Sequence, residues 1–175
     1  RQAAIFAGMP HSVPATTVSK VCGSGLQAVV LAARAVRLGD AQLVVAGGME
    51  SMSQAPYALP KARGGYRMGH GELLDLMIHD GLWDPYKNIH MGNAAELCAT
   101  THGVTREAQD EFTRESYRRA LDAQRSGRSA EEIVPVVWKD RAGELCVELD
   151  EEVGRANLDK LGGLRPAFDK KGSVT

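Results

Sequence analysis

A cysteine-containing turn between two apolar segments is the feature that most constrains how this chain folds. Residues 16–21 are largely β-branched and suit a buried strand, whereas residues 24–38 are rich in Ala, Leu and Val and suit a helix that stops at Gly39. Residues 43–46 form a second short apolar run before two glycines. Strand, helix and strand in this order predict a right-handed βαβ unit with parallel, buried strands.

Cys22 lies in the turn of this unit, within the sequence C-G-S-G at residues 22–25. The N-terminus of a helix carries unpaired N–H groups and partial positive charge, which stabilise a thiolate placed there. Gly23 and Gly25 permit a tight turn and close approach by a substrate. The turn resembles the nucleophile elbow of hydrolases, with sulfur in place of oxygen. The alternative is that Cys22 is a small buried apolar residue, as free cysteines often are.

Residues after 51 are more polar and contain fewer apolar runs. A short helix is predicted at residues 94–100, and a longer one begins near Thr105, a plausible N-cap, and stops at Gly127. Residues 133–138 and 144–149 predict a hairpin with one wet face, because apolar and polar residues alternate in its second strand.

Composition excludes several classes of function. Lys plus Arg number 21 and Asp plus Glu 22, for a net charge of −1, and neither sign forms a long run. We therefore expect no nucleic-acid surface. Three widely spaced cysteines argue against a disulfide framework or a zinc site and favour a reducing compartment. We also expect no segment long and apolar enough to cross a bilayer.

Four motifs, the Cys22 turn among them, resemble those of one enzyme family and occur in the order that the family shows. Residues 18–29 (VSKVCGSGLQAV) resemble the nucleophile segment of thiolases, and residues 46–53 (AGGMESMS) follow at the expected distance. Residues 90–96 (HMGNAAE) resemble the H-M-G-x-x-A-E segment, and residues 164–169 with 172–175 (LRPAFD and GSVT) resemble the end of the family's loop domain. Ser19 departs from the Asn that many thiolases carry there.

This resemblance implies an α/β fold: an incomplete thiolase-type N-terminal α/β core, with βαβ units and mostly parallel buried strands, plus an inserted α+β loop domain that binds coenzyme A. Residues 1–51 and 166–175 are then parts of the core domain, and residues 52–165 are the loop domain. The chain is the central or N-terminal portion of a subunit.

The resemblance also implies acyl transfer between coenzyme A thioesters through an acyl-enzyme on Cys22, which makes or cleaves acetoacetyl-CoA. It assigns no metal and no cofactor, since the coenzyme A thioesters are substrates. His90 favours the acetoacetyl-CoA-forming branch. Cys98 and Cys146 are interpreted as packing residues. The residues matched to coenzyme A binding are Leu82, His90, Met91, Phe168 and, one residue short of the usual spacing, Arg155.

Other thiolase parts do not occur in these 175 residues: the G-H-P histidine, the second cysteine of C-x-G-G-G and the N-E-A-F segment. We therefore expect the isolated chain to be unstable or inactive. Two alternatives remain within the family, a degradative 3-ketoacyl-CoA thiolase of broader chain length and a non-catalytic thiolase-like subunit that binds acyl-CoA or lipid. A Cys-His hydrolase is disfavoured.

The expected partners are acetyl-CoA or acyl-CoA and further copies of the subunit, as a dimer or tetramer, with no nucleic acid and no membrane. A cytoplasmic, bacterial-like location is expected. Organelle targeting stays open, because the chain does not begin with Met.

Overall fold

The computed structural model describes residues 1–175, the side chain of Asp140 excepted. The chain divides into two compact units, Arg1–Trp83 and Asp84–Thr175. The domain division expected from the sequence remains a prediction. The elements of the first unit are helices α1 (Gln2–Phe6) and α2 (Ser24–Leu38), a 3₁₀ turn (Met52–Gln54), strands β1 (Tyr57–Ala58) and β2 (Leu74–Asp75), and a π-helix (Met77–Leu82). Strand β3 (Trp83–Asp84) follows.

Helix α2 has the bounds that the sequence predicts, Ser24–Leu38. Gly39 ends it in the left-handed conformation, with φ of 79°. The Gly39 N–H donates to the Val36 carbonyl at 3.2 Å, and the Asp40 N–H donates to the Ala35 carbonyl at 3.0 Å. These two bonds satisfy carbonyls that the last helical turn leaves unpaired, as in a Schellman motif.

The two buried strands predicted around α2 do not form in this structure, and that prediction was wrong. Residues 16–19 and 43–46 lie outside helices and strands, and the only β-type pairing near them is an isolated bridge at Lys20 and Cys22. Leu43 is 86% exposed and Val45 is 81% exposed. A strand is stabilised by ladder hydrogen bonds to a neighbour and by burial of its faces. Among the described residues, these segments have neither.

The second unit begins with β4 (Ile89–His90) and contains two of the longer helices. Helix α4 (Arg106–Arg125) begins where the sequence predicts, because the Thr105 hydroxyl accepts a hydrogen bond from the Ala108 N–H at 3.2 Å. Gly127, with φ of 68°, follows its end. Helix α3 spans Met91–His102 and is longer than the predicted 94–100. The unit ends with β5 (Val136–Asp140), β6 (Gly143–Val147), α5 (Glu151–Arg155) and a 3₁₀ helix (Leu158–Gly163).

Strands β5 and β6 form the predicted hairpin. They are antiparallel, with Val136 opposite Val147 and Trp138 opposite Leu145. Gly143 has φ of 137°, a conformation that glycine adopts without a steric penalty. The prediction of only one wet face was wrong, because all five residues of β6 are exposed, Cys146 among them.

Helix α4 is stabilised on its surface by ion pairs between residues one turn apart. Arg118 Nε lies 2.7 Å from Glu115 Oε2, and Arg119 Nε lies 2.7 Å from Glu115 Oε1. Hydrogen bonds from Arg118 and then from Arg119 lower the pKa of Glu115 to about 2. The carboxylate therefore stays charged well below neutral pH, although such exposed pairs stabilise a helix only modestly.

Very little of the chain is buried. The accessible surface is 15159 Å², whereas a monomeric protein of this mass exposes about 8,300 Å². Among the described side chains, Ala99 is the only buried apolar one and Asp110 is the only buried charged one. Many large apolar side chains, including Leu26, Val29 and Phe112, are exposed. A stable fold needs further protein surface to cover them.

We predict that these 175 residues, expressed alone, do not unfold cooperatively, because the apolar area that they bury is too small to offset chain entropy. Thermal unfolding followed by near-ultraviolet circular dichroism, with binding of a hydrophobic dye, measures this. The expected result is dye binding without a sharp transition. A sharp transition without dye binding contradicts the prediction.

The expectation that no segment is long and apolar enough to cross a bilayer was wrong, judged by length and composition only. Residues Val21–Leu38 are long and apolar enough to cross a bilayer, with a mean hydropathy of 1.3 over 18 residues. A core helix of a soluble protein meets the same criterion. Arg34 and Arg37 lie in the last five residues of this segment, where a long cationic side chain costs less than at the centre of a bilayer because it can reach the interface.

Candidate active site

Cys22 lies directly before the N-cap of α2, Gly23, and its side chain is exposed. The Gly23 N–H donates to the Lys20 carbonyl at 3.0 Å, and the Ser24 N–H donates to the Val21 carbonyl at 3.2 Å. The N–H groups of Gly25 and Leu26 have no partner among the hydrogen bonds that the structure describes. Cys22 thus stands at the end of α2 where backbone donors are unpaired and the helix dipole is positive.

The Ser24 hydroxyl stabilises this turn by two hydrogen bonds to its backbone. It accepts a hydrogen bond from the Lys20 N–H at 2.8 Å and donates to the Val21 carbonyl at 2.7 Å. One side chain therefore joins both residues that precede Cys22 to the first turn of α2. Sequence reasoning treated Ser24 only as the start of the helix and missed this role.

The backbone beside Cys22 is strained and closely packed. Val21 has φ of 49°, which a β-branched residue rarely adopts and which costs on the order of 1–3 kcal/mol. On the other side of the turn, Gly48 approaches Gly25 so closely that a Cβ on Gly48 would lie 3.3 Å from the Gly25 Cα. The second glycine motif therefore meets the cysteine turn, and this close approach accounts for glycine at positions 25 and 48.

Replacing Ser24 with alanine is expected to destabilise the full-length protein by about 1 kcal/mol, because the Lys20 N–H loses its side-chain acceptor and the Val21 carbonyl keeps only the Ser24 N–H as a donor. Urea unfolding measures the change in free energy. Ser19→Ala is the matched control, since no side-chain hydrogen bond is described for Ser19 in the part of the chain that the structure covers. Equal stability of the two variants contradicts the role assigned to Ser24.

His90 caps helix α3 with its imidazole ring. The Gly92 N–H donates to His90 Nδ1 at 2.9 Å, so a neutral ring carries its proton on Nε2. This cap explains why α3 begins at Met91, three residues before the predicted start, since the sequence rules for N-caps favour Ser, Thr, Asp and Asn. The cap leaves the Nε2–H as a hydrogen-bond donor.

The ring of Phe168 stacks on His90. The two ring centroids are 5.0 Å apart and the ring planes differ by 23°. Phe168 also lies against Gly92, where a Cβ would overlap the aromatic ring. Two residues that lie 78 positions apart in the sequence therefore form one aromatic surface over the start of α3.

Residues 167–174 form a closed loop, which we name the Phe168 loop. The Ala167 N–H donates to the Val174 carbonyl at 2.9 Å and joins its two ends. Asn93 donates from Nδ2 to the Phe168 carbonyl at 3.1 Å. The Glu96 carboxylate accepts from the Ser173 N–H at 2.9 Å and the Val174 N–H at 2.9 Å. Helix α3 thus holds this loop by two side chains that sequence reasoning did not select.

The other three residues predicted to contact coenzyme A lie in different secondary-structure elements. Met91 is the first residue of α3 and is exposed, and half-buried Leu82 ends the π-helix of the first unit. Arg155 ends α5, and its Nη2 lies 2.7 Å from Glu151 Oε2 with both side chains exposed. Among the described contacts, none joins Arg155 to His90 or Phe168. The assignment of all five residues to coenzyme A binding, His90 and Phe168 included, remains a prediction.

Cys98 and Cys146 were predicted to be packing residues, but both are exposed in the structure. Cys98 lies in α3 and Cys146 in β6, and both are exposed. Each was predicted to be buried by its element, but the faces that carry them have no cover within the described chain. They serve below as internal controls for Cys22.

Comparison with known proteins bears directly on this geometry. The model for the thiolase N-terminal domain matches residues 1–175, which is the whole chain. The chain belongs to the thiolase family. The predicted fold class, an incomplete thiolase-type α/β core, is thereby confirmed, although the parallel buried strands expected within it do not form among the described residues.

Individual thiolases give the degree of similarity. An acetyl-CoA acetyltransferase of Cupriavidus necator is 56% identical over 177 residues, and one of Yarrowia lipolytica is 53% identical over 175 residues. All of this chain is covered in both matches, but only 45% and 43% of the relatives. The crystal structure of the Bacillus anthracis acetyl-CoA acetyltransferase matches with a TM-score of 0.93 and 43% identity, over all of this chain and 44% of that one. The chain therefore spans less than half the length of these thiolases.

Proposed function

We propose that the full-length protein transfers acyl groups between coenzyme A thioesters through an acyl-enzyme on Cys22, and that it makes or cleaves acetoacetyl-CoA. The observation that carries this proposal is the position of Cys22, on a strained and hydrogen-bonded turn at the N-terminus of α2. The relatives at 56% and 53% identity, which are named acetyl-CoA acetyltransferase, support the choice of substrate.

In the first half of the proposed reaction, the Cys22 thiolate attacks the carbonyl carbon of an acyl-CoA. A new C–S bond to Cys22 forms and the carbonyl oxygen becomes an oxyanion. The oxyanion then collapses to a carbonyl, the C–S bond to coenzyme A breaks, and the coenzyme A thiolate takes up the proton that the Cys22 thiol had given to a base. The exposed end of α2, with its unpaired N–H groups, supports the charge on sulfur and on the developing oxyanion. The product of this half is a thioester on Cys22.

In the second half, acetyl-CoA loses a proton from its methyl carbon to a base, and the carbanion attacks the Cys22 thioester. The C–S bond to Cys22 breaks, the thiolate is restored, and acetoacetyl-CoA leaves. We assign the base and the second cysteine to the G-H-P and C-x-G-G-G segments that this family carries elsewhere in its sequence. The reverse direction is thiolysis.

The aromatic surface of His90 and Phe168 is the part of the described chain that best suits the pantetheine and acyl portions of the substrate. It offers a stacked apolar face together with one N–H donor at His90 Nε2. Leu82, Met91 and Arg155 complete the proposed set of coenzyme A contacts. We further propose a dimer or tetramer, a cytoplasmic location, and no cofactor besides the substrates.

A thiolysis assay of the full-length protein tests the proposal. Acetoacetyl-CoA and a long-chain 3-ketoacyl-CoA are each supplied with coenzyme A, and the loss of the 3-ketoacyl thioester is followed. The expected result is rapid thiolysis of acetoacetyl-CoA and slow thiolysis of the long-chain substrate. Equal rates favour the degradative enzyme instead, and binding without turnover favours the non-catalytic subunit.

A further inference from the structure

We propose that Glu96 is a positioning residue for coenzyme A binding: it anchors the Phe168 loop on α3 and so keeps the Phe168 ring stacked on His90. This inference rests on the proposed function, because it treats His90 and Phe168 as substrate contacts. Glu96 itself touches neither ring in the described contacts. Its action is transmitted through the loop.

Both oxygens of the Glu96 carboxylate accept hydrogen bonds, and all the donors belong to residues 173 and 174. Oε1 accepts from the Ser173 N–H at 3.0 Å and the Val174 N–H at 2.9 Å. Oε2 accepts from the Ser173 N–H at 2.9 Å and lies 3.4 Å from the Ser173 hydroxyl. Hydrogen bonds to a charged acceptor such as a carboxylate are roughly twice as strong as those between neutral groups. Glu96 is half-buried, so water competes less for these bonds.

The loop is shaped to receive this carboxylate. A Cβ on Gly172 would overlap the Glu96 oxygen, so the absence of a side chain there is what permits the approach. The Lys171 N–H and Gly172 N–H donate to the Asp169 side chain and carbonyl, both at 2.9 Å, and turn the chain back toward Glu96. The hydrogen bonds of Glu96 therefore depend on the turn at residues 169–172 and on the glycine at position 172.

A short path connects the anchor to the aromatic surface. The Val174 carbonyl accepts from the Ala167 N–H at 2.9 Å, so the residue that Glu96 holds is tied to the residue before Phe168. Asn93, one turn before Glu96 on α3, holds the Phe168 carbonyl at 3.1 Å. With both ends of the loop fixed on α3, the ring of Phe168 has little freedom to leave His90.

A second anchor supports the same loop from α4. Gln109 donates from Nε2 to the Ser173 hydroxyl at 2.9 Å. This bond orients Ser173 but carries no charge, and so it does not replace the carboxylate. Loss of Glu96 is therefore expected to loosen the loop without releasing it, and the affected quantity is the affinity for coenzyme A rather than the chemistry at Cys22.

The test measures the dissociation constant of coenzyme A for the full-length protein by titration calorimetry. Four forms make a double-mutant cycle: wild type, Glu96→Ala, Phe168→Ala and the double variant. We expect about a tenfold increase for Glu96→Ala and at least as large an increase for Phe168→Ala. Because Glu96 acts through Phe168, the double variant should bind within about twofold of Phe168→Ala. Effects that multiply in the double variant overturn the inference.

Two further variants keep the result interpretable. Glu96→Gln retains one acceptor oxygen and should recover part of the affinity, with an increase of about threefold, even if Glu96→Ala folds poorly. Glu111→Ala removes a carboxylate from an exposed position on α4, paired with Arg114 at 3.7 Å, and should bind as wild type. Wild-type affinity in both Glu96 variants overturns the inference.

The two proposals fail in different ways. If the wild-type protein forms an acyl group on Cys22 but Glu96 variants bind coenzyme A normally, only the role of Glu96 is wrong. If the wild-type protein neither binds coenzyme A nor acylates Cys22, the proposed function is wrong and the role of Glu96 is wrong with it.

Discussion

Replacing Cys22 with serine in the full-length protein is expected to lower the rate of acetoacetyl-CoA thiolysis by at least about a thousandfold. A serine hydroxyl is not ionised near neutral pH, and an ester formed on it is a poorer acyl donor than a thioester. Serine keeps the size and the turn geometry, so the fold is expected to persist. Steady-state kinetics with acetoacetyl-CoA and coenzyme A measure the effect.

Cys98→Ser and Cys146→Ser are matched controls, because both cysteines are exposed as Cys22 is and neither lies at the start of a helix. Both variants should retain wild-type turnover within about threefold, as expected of surface positions. A similar loss in either control would show that general thiol chemistry, and not Cys22, governs the rate. Normal turnover in Cys22→Ser contradicts the proposed function outright.

Replacing Gly92 with alanine is expected to raise the KM for acetoacetyl-CoA by about tenfold or more, with a smaller change in kcat. The added methyl group would overlap the ring of Phe168 and push it away from His90. Overpacking costs about 1–3 kcal/mol, but alanine restores roughly 1 kcal/mol of helix propensity in the first turn of α3. The net loss of stability should therefore be small compared with the loss of substrate affinity.

Kinetics and thermal unfolding of the same protein separate these two effects. Gly163→Ala is the control, because a Cβ there meets nothing within 4 Å. It should leave KM unchanged. If Gly92→Ala keeps the wild-type KM, the stacked surface of His90 and Phe168 does not contact the substrate.

Local signals in the sequence predicted the helices and the hairpin well. The bounds of α2 follow from its composition and from Gly39, and the start of α4 follows from Thr105, because caps act within one turn of the chain. The hairpin of β5 and β6 is likewise a local structure. The strands at residues 16–21 and 43–46 failed because a strand depends on neighbours that no local pattern supplies.

The site was predictable to a similar extent. Cys22 could be selected as a candidate because its turn, its glycines and the following helix are adjacent in sequence. Glu96 was not, since its partners Ser173 and Val174 lie 77 and 78 residues away. Its position one turn after Gly92, within the H-M-G-x-x-A-E segment, was the only available signal, and that signal does not identify a partner. Asn93 was missed for the same reason, since its partner Phe168 lies 75 residues away. Ser24 has partners only four and three residues away, but its bonds depend on a turn conformation at Val21 that the sequence does not predict.

The measurement that tests the central claim most directly is mass spectrometry of the full-length protein after brief mixing with acetyl-CoA and acid quenching, followed by digestion. The account predicts a mass increase of one acetyl group on the peptide that contains Cys22, reversed when coenzyme A is added before the quench. Peptides that contain Cys98 and Cys146 should remain unmodified. An unmodified Cys22 peptide, or equal acetylation of all three cysteines, would contradict the assignment of Cys22 as the residue that carries the acyl group.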